Sequence, residues 1–249
     1  MYKQTEDEKL LLARIDDLYT LCDKHAKAKF SPFLNGAMQR TVSEHTTGRE
    51  NSVMFGGYDG SERKVFGVFP EWDMERTFPI AALKISHSFG EPMTHRDYLG
   101  SIMSLGLERG KIGDIIVDGN TAYVFAKDDA AQYIADNLKK IGNRGVKLEL
   151  CAADNIVIPN RQFEEYSIIV SSMRIDAVIA AAMRISRSSA ADYIKNGRVS
   201  IEHRVCENAS HTVAFGELIS VRGFGRFFID GENGITRRGR RHTVIKKYI

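Results

Sequence analysis

Residues 174–226 read RIDAVIAAAMRISRSSAADYIKNGRVSIEHRVCENASHTVAFGELISVRGFGR. Ile175, Val178, Ile179 and Ala182 recur at i, i+3, i+4 and i+7, one apolar face of a short helix. Ser186 stands where an N-cap belongs, and Ala190, Ala191 and Ile194 give a second helix its apolar side. Gly197 occupies the C′ position, where a positive φ costs little. Short β-type runs follow at 198–201 and 218–221. Arg174, Arg184, Arg187, Lys195, Arg198 and Arg204 decorate this αα-plus-β unit, a pattern suited to a polyanion.

The same stretch resembles the S4 RNA-binding domain. The matching text is Arg174-Ile175-Asp176, Ser186-Arg187, Ala190, Ile194, Gly197, Arg198-Val199, Gly216-Glu217 and Val221-Arg222-Gly223. Glu202-His203 replaces the family's usual Asn-Gly or Asn-His, and Gly216-Glu217 its usual Gly-Asp. The resemblance covers the last third of the chain and implies RNA binding through the cations named above. The bland alternative is a small α+β domain with solvated charges; basic surface residues alone would not reproduce the spacing.

Working outward, the chain has 249 residues, enough for two or three small domains. At 43% hydrophobic and 27% charged it has the balance of a soluble globular protein. The net charge of +3 is unevenly spread. From Arg174 onward roughly 14 basic and 7 acidic side chains give about +7, leaving about −4 on the rest. Cys22, Cys151 and Cys206 lie far apart with no C-x-x-C, which disfavours a zinc site or disulfide framework and fits a reducing cytoplasm. The N-terminus lacks an apolar signal segment, and no run is long enough to cross a bilayer. No membrane partner, metal or cofactor is expected.

In chain order, Thr5 and Glu8 form a capping-box pattern. Leu11, Ile15, Leu18 and Cys22 then predict a helix to about Ala28. Ser31-Pro32 reads as N-cap and N1 of another helix. SVMFGGY from Ser52, a turn at Asp59-Gly60 and KVFGVFP predict a hairpin. Gly56-Gly57 admits two readings, phosphate approach or a tight sheet edge; the edge is favoured. Arg63 and Lys64 read as solvated.

Residues 80–151 predict βαββαβ, the ferredoxin-like order shared by RNA-recognition domains. The elements are a strand at 80–85 and a helix capped by Thr94 with Asp97 at N3, ending at Gly106. Strands at 112–117 and 121–126 flank Asp118-Gly119-Asn120. A helix then runs from Asp128 through Ile141 to Gly142, before a strand at 146–151. Tyr123 and Phe125 share one sheet face, where they either stack on bases or pack beneath a neighbouring domain; packing is favoured, because GNTAYVFA lacks the full stacking motif.

At the C-terminus, Phe227-Phe228-Ile229 runs toward a turn at Asp230-Gly231, with 242–248 returning. Between them Arg237, Arg238, Arg240 and Arg241 suit bidentate phosphate contact, against the alternative of a solvated charge run.

The expected fold class is α+β. A small N-terminal α/β domain spans 1–78, a βαββαβ domain with connector 79–171, and an S4-like domain with a basic hairpin 172–249. The whole chain is similar to the YlmH-like S4-domain proteins of bacteria. Further text carrying that similarity is Ser31-Pro32-Phe33-Leu34, Gly56-Gly57-Tyr58, Glu62-Arg63, Ser104-Leu105-Gly106, Arg109 and Lys111-Ile112-Gly113-Asp114-Ile115. The resemblance implies a cytoplasmic protein that binds structured rRNA, and tRNA, on the large ribosomal subunit; the oligomeric state is left open, with a monomer favoured. It further implies service on stalled peptidyl-tRNA complexes and a link to cell division. No P-loop, nucleophile elbow or H-E-x-x-H pattern is present, so no catalytic residue is expected. The rival reading is an RNA-modifying enzyme, pseudouridine-synthase-like, docked by its S4-like part.

Overall fold

The computed structural model describes residues 6–88, 90–91, 93–151, 156, 163–236 and 239–248. The chain forms two compact units, 1–159 and 160–249.

The first unit opens with α1 (Glu6–His25), β1 (Lys29–Leu34), α2 (Gly36–His45), β2 (Ser52–Phe55) and β3 (Lys64–Val68). The strands form an antiparallel sheet in the order β1-β3-β2. Ile15 and Cys22 of α1 pack on Leu34, Val42, Phe66 and Val68, the face that the helical spacing predicts. The helix stops at His25, earlier than expected, because Ala26 turns to φ 49°. Thr5 lies outside the described residues.

Ser31-Pro32 does not start a helix. The pair sits inside β1, where the register shifts between Phe30 and Phe33. A bulge is one of the few strand positions that tolerates proline's missing N–H. The Ser31 hydroxyl repairs the ladder there, accepting from the Phe66 N–H at 2.9 Å. The N-cap is Asn35, whose side chain accepts from the Met38 N–H at 3.0 Å.

Next come β4 (Ile80–Ser86), α3 (His95–Met103), β5 (Ile112–Asp118), β6 (Thr121–Lys127), α4 (Asp128–Asn137), β7 (Lys140–Ile141), β8 (Arg144–Gly145) and β9 (Lys147–Cys151). The sheet order β5-β6-β4-β9 is the expected βαββαβ arrangement. The Thr94–Asp97 capping box forms, with the Thr94 N–H donating to Asp97 Oδ2 at 2.8 Å. The second helix is shorter than expected. Leu138 takes extended backbone angles, and Lys140-Ile141 pairs with Arg144-Gly145 as a small hairpin around Gly142 at φ 56°. Leu138 and Ile141 still enter the core, so their spacing reported burial and not helix.

The two sheets of this unit meet at a polar junction. Asp114 accepts from the Tyr58 hydroxyl at 2.7 Å and from the backbone N–H groups of Glu62 and Arg63 at 2.6 and 2.9 Å. Arg63 is not solvated: its guanidinium donates to the carbonyls of Ile112 and Phe33 at 3.0 and 2.9 Å. Burial, aided by the nearby Arg109 charge, pulls it down to about 10. Gly56-Gly57 serves close packing, not phosphate. A Cβ on Gly57, at φ +102°, would come within 2.4 Å of Phe125 Cδ1. The Tyr58 and Phe125 rings lie 4.7 Å apart, and Phe125 is fully buried.

The second unit contains β10 (Phe163–Val170), α5 (Ile175–Met183), α6 (Arg187–Lys195), β11 (Val199–Ile201), β12 (Arg204–Val205), β13 (Ile219–Val221), β14 (Gly225–Ile235) and β15 (Arg241–Tyr248). One six-stranded antiparallel sheet runs β10-β15-β14-β13-β11-β12. α5 is buried on nearly every side, and its Ile175, Val178 and Ile179 join Ala190, Ile194, Val199, Ile219 and Phe227 in one core.

Two boundaries move. β10, expected in the connector of 79–171, pairs with β15 from Phe163↔Tyr248 to Val170↔Arg241, so the S4-like unit needs residues before 172. Asp230-Gly231 is a bulge within β14, where the register shifts between Ile229 and Gly231. The chain reverses later, with the Thr236 N–H donating to the Arg240 carbonyl at 2.7 Å.

Gly57→Ala should destabilise the protein by about 1–3 kcal/mol, since the added methyl meets Phe125 and the residue loses its positive φ. Denaturant unfolding of the intact chain measures this; an unchanged midpoint would show that the junction yields freely.

Candidate nucleic-acid interface

The cations expected to face RNA fall into two sets. In the first, Arg174, the N-cap residue of α5, places Nε and Nη2 at 3.1 and 3.0 Å from the Asp176 carboxylate. Arg187, in the first turn of α6, places Nη2 at 3.0 and 2.9 Å from the two Asp176 oxygens. The Asp176 side chain is 9% exposed, whereas those of Arg174 and Arg187 are 43% and 53% exposed. Burial pushes the Asp176 carboxyl upward, but the hydrogen bonds from Arg174 and Arg187 outweigh it and hold it below its ordinary 3.8. Arg187 thus makes a structural bond between the two helices while keeping an exposed side chain. The three side chains together carry a net +1 at neutral pH.

In the second set the side chains of Arg184, Lys195 and Arg198 reach solvent with no ion pair among the described residues. Arg184 closes α5 at φ 56°, ψ 43°, the left-handed position usually given to glycine. Ser186 caps α6, accepting from the Ser189 N–H at 3.0 Å. At the other end, the Gly197 N–H donates to Ile194 and the Arg198 N–H to Tyr193, both at 3.0 Å, a Schellman closure. That closure fixes Arg198, whose guanidinium lies 5.6 Å from the centre of the Tyr193 ring. Lys195 is exposed in the last turn. Arg204 is half-buried in β12.

Arg222, not among the cations expected to face RNA, joins this set. Val199 pairs with Val221, and the Arg222 N–H donates to the Arg198 carbonyl at 2.9 Å, so two exposed arginines flank the same strand end. Arg222 stood in the S4-like text; counting every cation in that text would have found it.

The hairpin cations separate. Arg241 lies 3.5 Å from Glu232, Arg240 is exposed, and Arg237 and Arg238 lie outside the described residues. Glu202-His203 forms the β11–β12 turn with φ 47° and 65°. Glu202 also accepts from the Leu218 N–H at 2.6 Å, so its carboxylate serves the fold.

On the βαββαβ sheet, Phe125 is sealed under Gly57 and Tyr58, while Tyr123 is half-buried between Lys84 and Ile116 on neighbouring strands. Arg109 donates to the Ile112 carbonyl and Lys111 pairs with Asp129 at 2.6 Å. Lys127 sits 5.3 Å from the Phe30 ring, and burial lowers its ammonium to about 8. Among the described residues no group of three or more His, Cys, Asp or Glu side chains could hold a metal, and no helix is long and apolar enough to cross a membrane.

Residues 173–219 match the S4 domain family, and residues 74–155 match the family described as "Putative RNA-binding domain in YlmH". The sequence is 31% identical over 246 residues to the ribosome-associated protein quality control protein P2 of Bacillus subtilis (strain 168), covering 97% of this chain and 96% of that protein. The chain belongs to the YlmH family. The solved structure of the cell division protein ylmH from Streptococcus pneumoniae aligns with a TM-score of 0.52 at 20% identity. It covers 63% of this chain and 99% of that one, and supports the fold. In this YlmH-family chain the S4 match stops at β13, so β10, β14 and β15 extend its sheet beyond the matched domain.

Two outcomes are expected. Arg184→Gly should raise stability by roughly 0.5–1 kcal/mol, because glycine takes the left-handed angles without strain, while weakening RNA binding. Paired denaturation and RNA titrations test both halves. For Asp176 the folded pKa is depressed, so its contribution is present above the unfolded value of 3.8 and lost as pH falls through the folded one. Acid unfolding should therefore have a component below about pH 4 that Asp176→Asn flattens.

Proposed function

We propose that this protein is a non-catalytic, cytoplasmic RNA-binding protein that grips structured ribosomal RNA, and tRNA, on the large ribosomal subunit. There it would act in rescue or quality control of stalled peptidyl-tRNA complexes. The observation that carries the reading is the set of exposed cations at the two ends of α6: Arg184 before it, then Lys195, Arg198 and the adjoining Arg222. The 31% identity to a ribosome-associated quality control protein supports the ribosomal setting. Helix N-terminal amides at Ser186 add donors for a phosphate beside Arg187.

Lys195→Glu with Arg198→Glu should abolish co-sedimentation with large subunits and leave the thermal melt nearly unchanged, because neither side chain is ion-paired among the described residues. Arg198→Ala alone should lower the salt slope of binding by about one phosphate contact. A folded double variant that still travels with the subunit would move the binding face elsewhere. Ribosomal RNA incubated with the protein should gain no modification; a new one would favour the enzyme reading.

A further inference from the structure

The chain's single tryptophan, Trp72, is 70% exposed, and Met74 two residues on is 84% exposed. Both sit on residues 70–77, PEWDMERT, after β3. The loop is built. Its base is closed by Phe69 and Phe78, whose rings lie 5.4 Å apart and pack on Phe30 at 5.6 and 5.5 Å. Inside it the Asp73 N–H donates to the Pro70 carbonyl at 3.0 Å, and the Arg76 N–H to the Asp73 carboxylate at 3.1 Å. An ordered loop that holds two large apolar side chains in water exposes surface that association would bury. Tryptophan is also among the side chains enriched at the energetic centres of protein interfaces.

The surroundings say what kind of partner fits. Glu71, Asp73 and Glu75 alternate with Trp72 and Met74, and with Arg76 as its one cation the loop keeps a net negative charge. Beside the loop opens a cavity of ≈ 420 Å³ whose lining includes Asp23, Glu50 and Glu71 together with Tyr19 and Phe69. Its one cation, Arg49, is already bonded to Asp16 at 2.9 Å and lies 4.6 Å from the Tyr19 ring centre. Apolar anchors within carboxylates repel nucleic acid and complement lysine- or arginine-bearing protein. We propose that the 70–77 loop and this acidic cavity form a docking surface for a basic protein segment, with Trp72 and Met74 as anchors and the cavity taking a cationic side chain. The proposal rests on the ribosomal reading in placing that segment on a large-subunit protein.

The test uses the full-length chain and Trp72 emission. Large subunits, the proteins extracted from them, and their protein-free RNA are added in separate arms. Intact subunits and extracted proteins should shift the emission to shorter wavelength; RNA alone should leave it unchanged while still binding the chain. A photo-crosslinker at position 72 should label subunit proteins. Trp72→Ala with Met74→Ala should weaken subunit affinity by roughly tenfold without changing the melt, and Glu71→Lys should weaken it too. Unchanged emission with extracted proteins, or crosslinks to RNA alone, overturns the proposal. Failure of the chain to sediment with intact subunits instead counts against the ribosomal reading, and the extracted-protein arm still decides the docking surface.

Discussion

The Asp176 carboxylate, held by two guanidinium groups, is the interaction on which the C-terminal unit depends. It sits in the first turn of α5 and bonds to the residue before that helix and to the first turn of α6. Losing one partner of a buried ion pair typically costs about 3–5 kcal/mol, because the remaining charge stays out of water. Arg174 and Arg187 are half-exposed, which reduces that figure, but the carboxylate is not. The cluster therefore fixes the angle between α5 and α6, and with it the place where Ser186, Arg184 and the α6 amides meet solvent.

A different buried charge organises the first unit. Arg63 spans from Phe33 of β1 to Ile112 of β5, and Asp114 closes the opposite side through Tyr58 and two backbone N–H groups. The residues that carried the family resemblance outside the S4-like part meet here: Pro32, Phe33, Gly57, Tyr58, Arg63, Gly113 and Asp114. In this structure these residues pack two sheets together. That packing also settles Phe125. A βαββαβ sheet can present two stacking aromatics, but here one of them is the floor of a domain junction. Topology sets where a site could be, and neighbouring packing decides whether it is open.

Much of the architecture was legible because it rests on periodicity and on caps. The βαββαβ order, the α5–α6 pair, the Ser186 cap and the Gly197 stop depend on local spacing that any reader of the sequence sees. Three of the misreadings share one physical cause. Ser31-Pro32, Gly142 and Asp230-Gly231 each mark an interruption, and each was given the wrong kind: a bulge for a helix start, a hairpin turn for a helix end, a bulge for a turn. Glycine, proline and serine report that a ladder or helix breaks, whereas the partner strand determines how. Ion pairing depends on the fold for a related reason. Asp176 and Arg187 stand 11 residues apart and meet only because the helices fold back on each other. Similarly, Arg222 became a neighbour of Arg198 only through the β11–β13 register.

Cations read from a sequence thus give an upper bound on phosphate contacts, and ion pairs lower it. Arg174 and Arg187 together offer one net charge, and Arg241 faces Glu232. Pairing does not remove Arg187 from consideration, however. Both of its bonds to Asp176 come from Nη2, and its side chain remains 53% exposed. A guanidinium carries five N–H donors in a fixed plane, so Nε and Nη1 remain to meet an incoming phosphate. A lysine ammonium, a single compact charge, would have to divide itself between the carboxylate and the phosphate. The structural bond and the proposed RNA contact are therefore compatible duties of one side chain. The carboxylate orients the guanidinium before the phosphate arrives, which lowers the conformational entropy lost on binding.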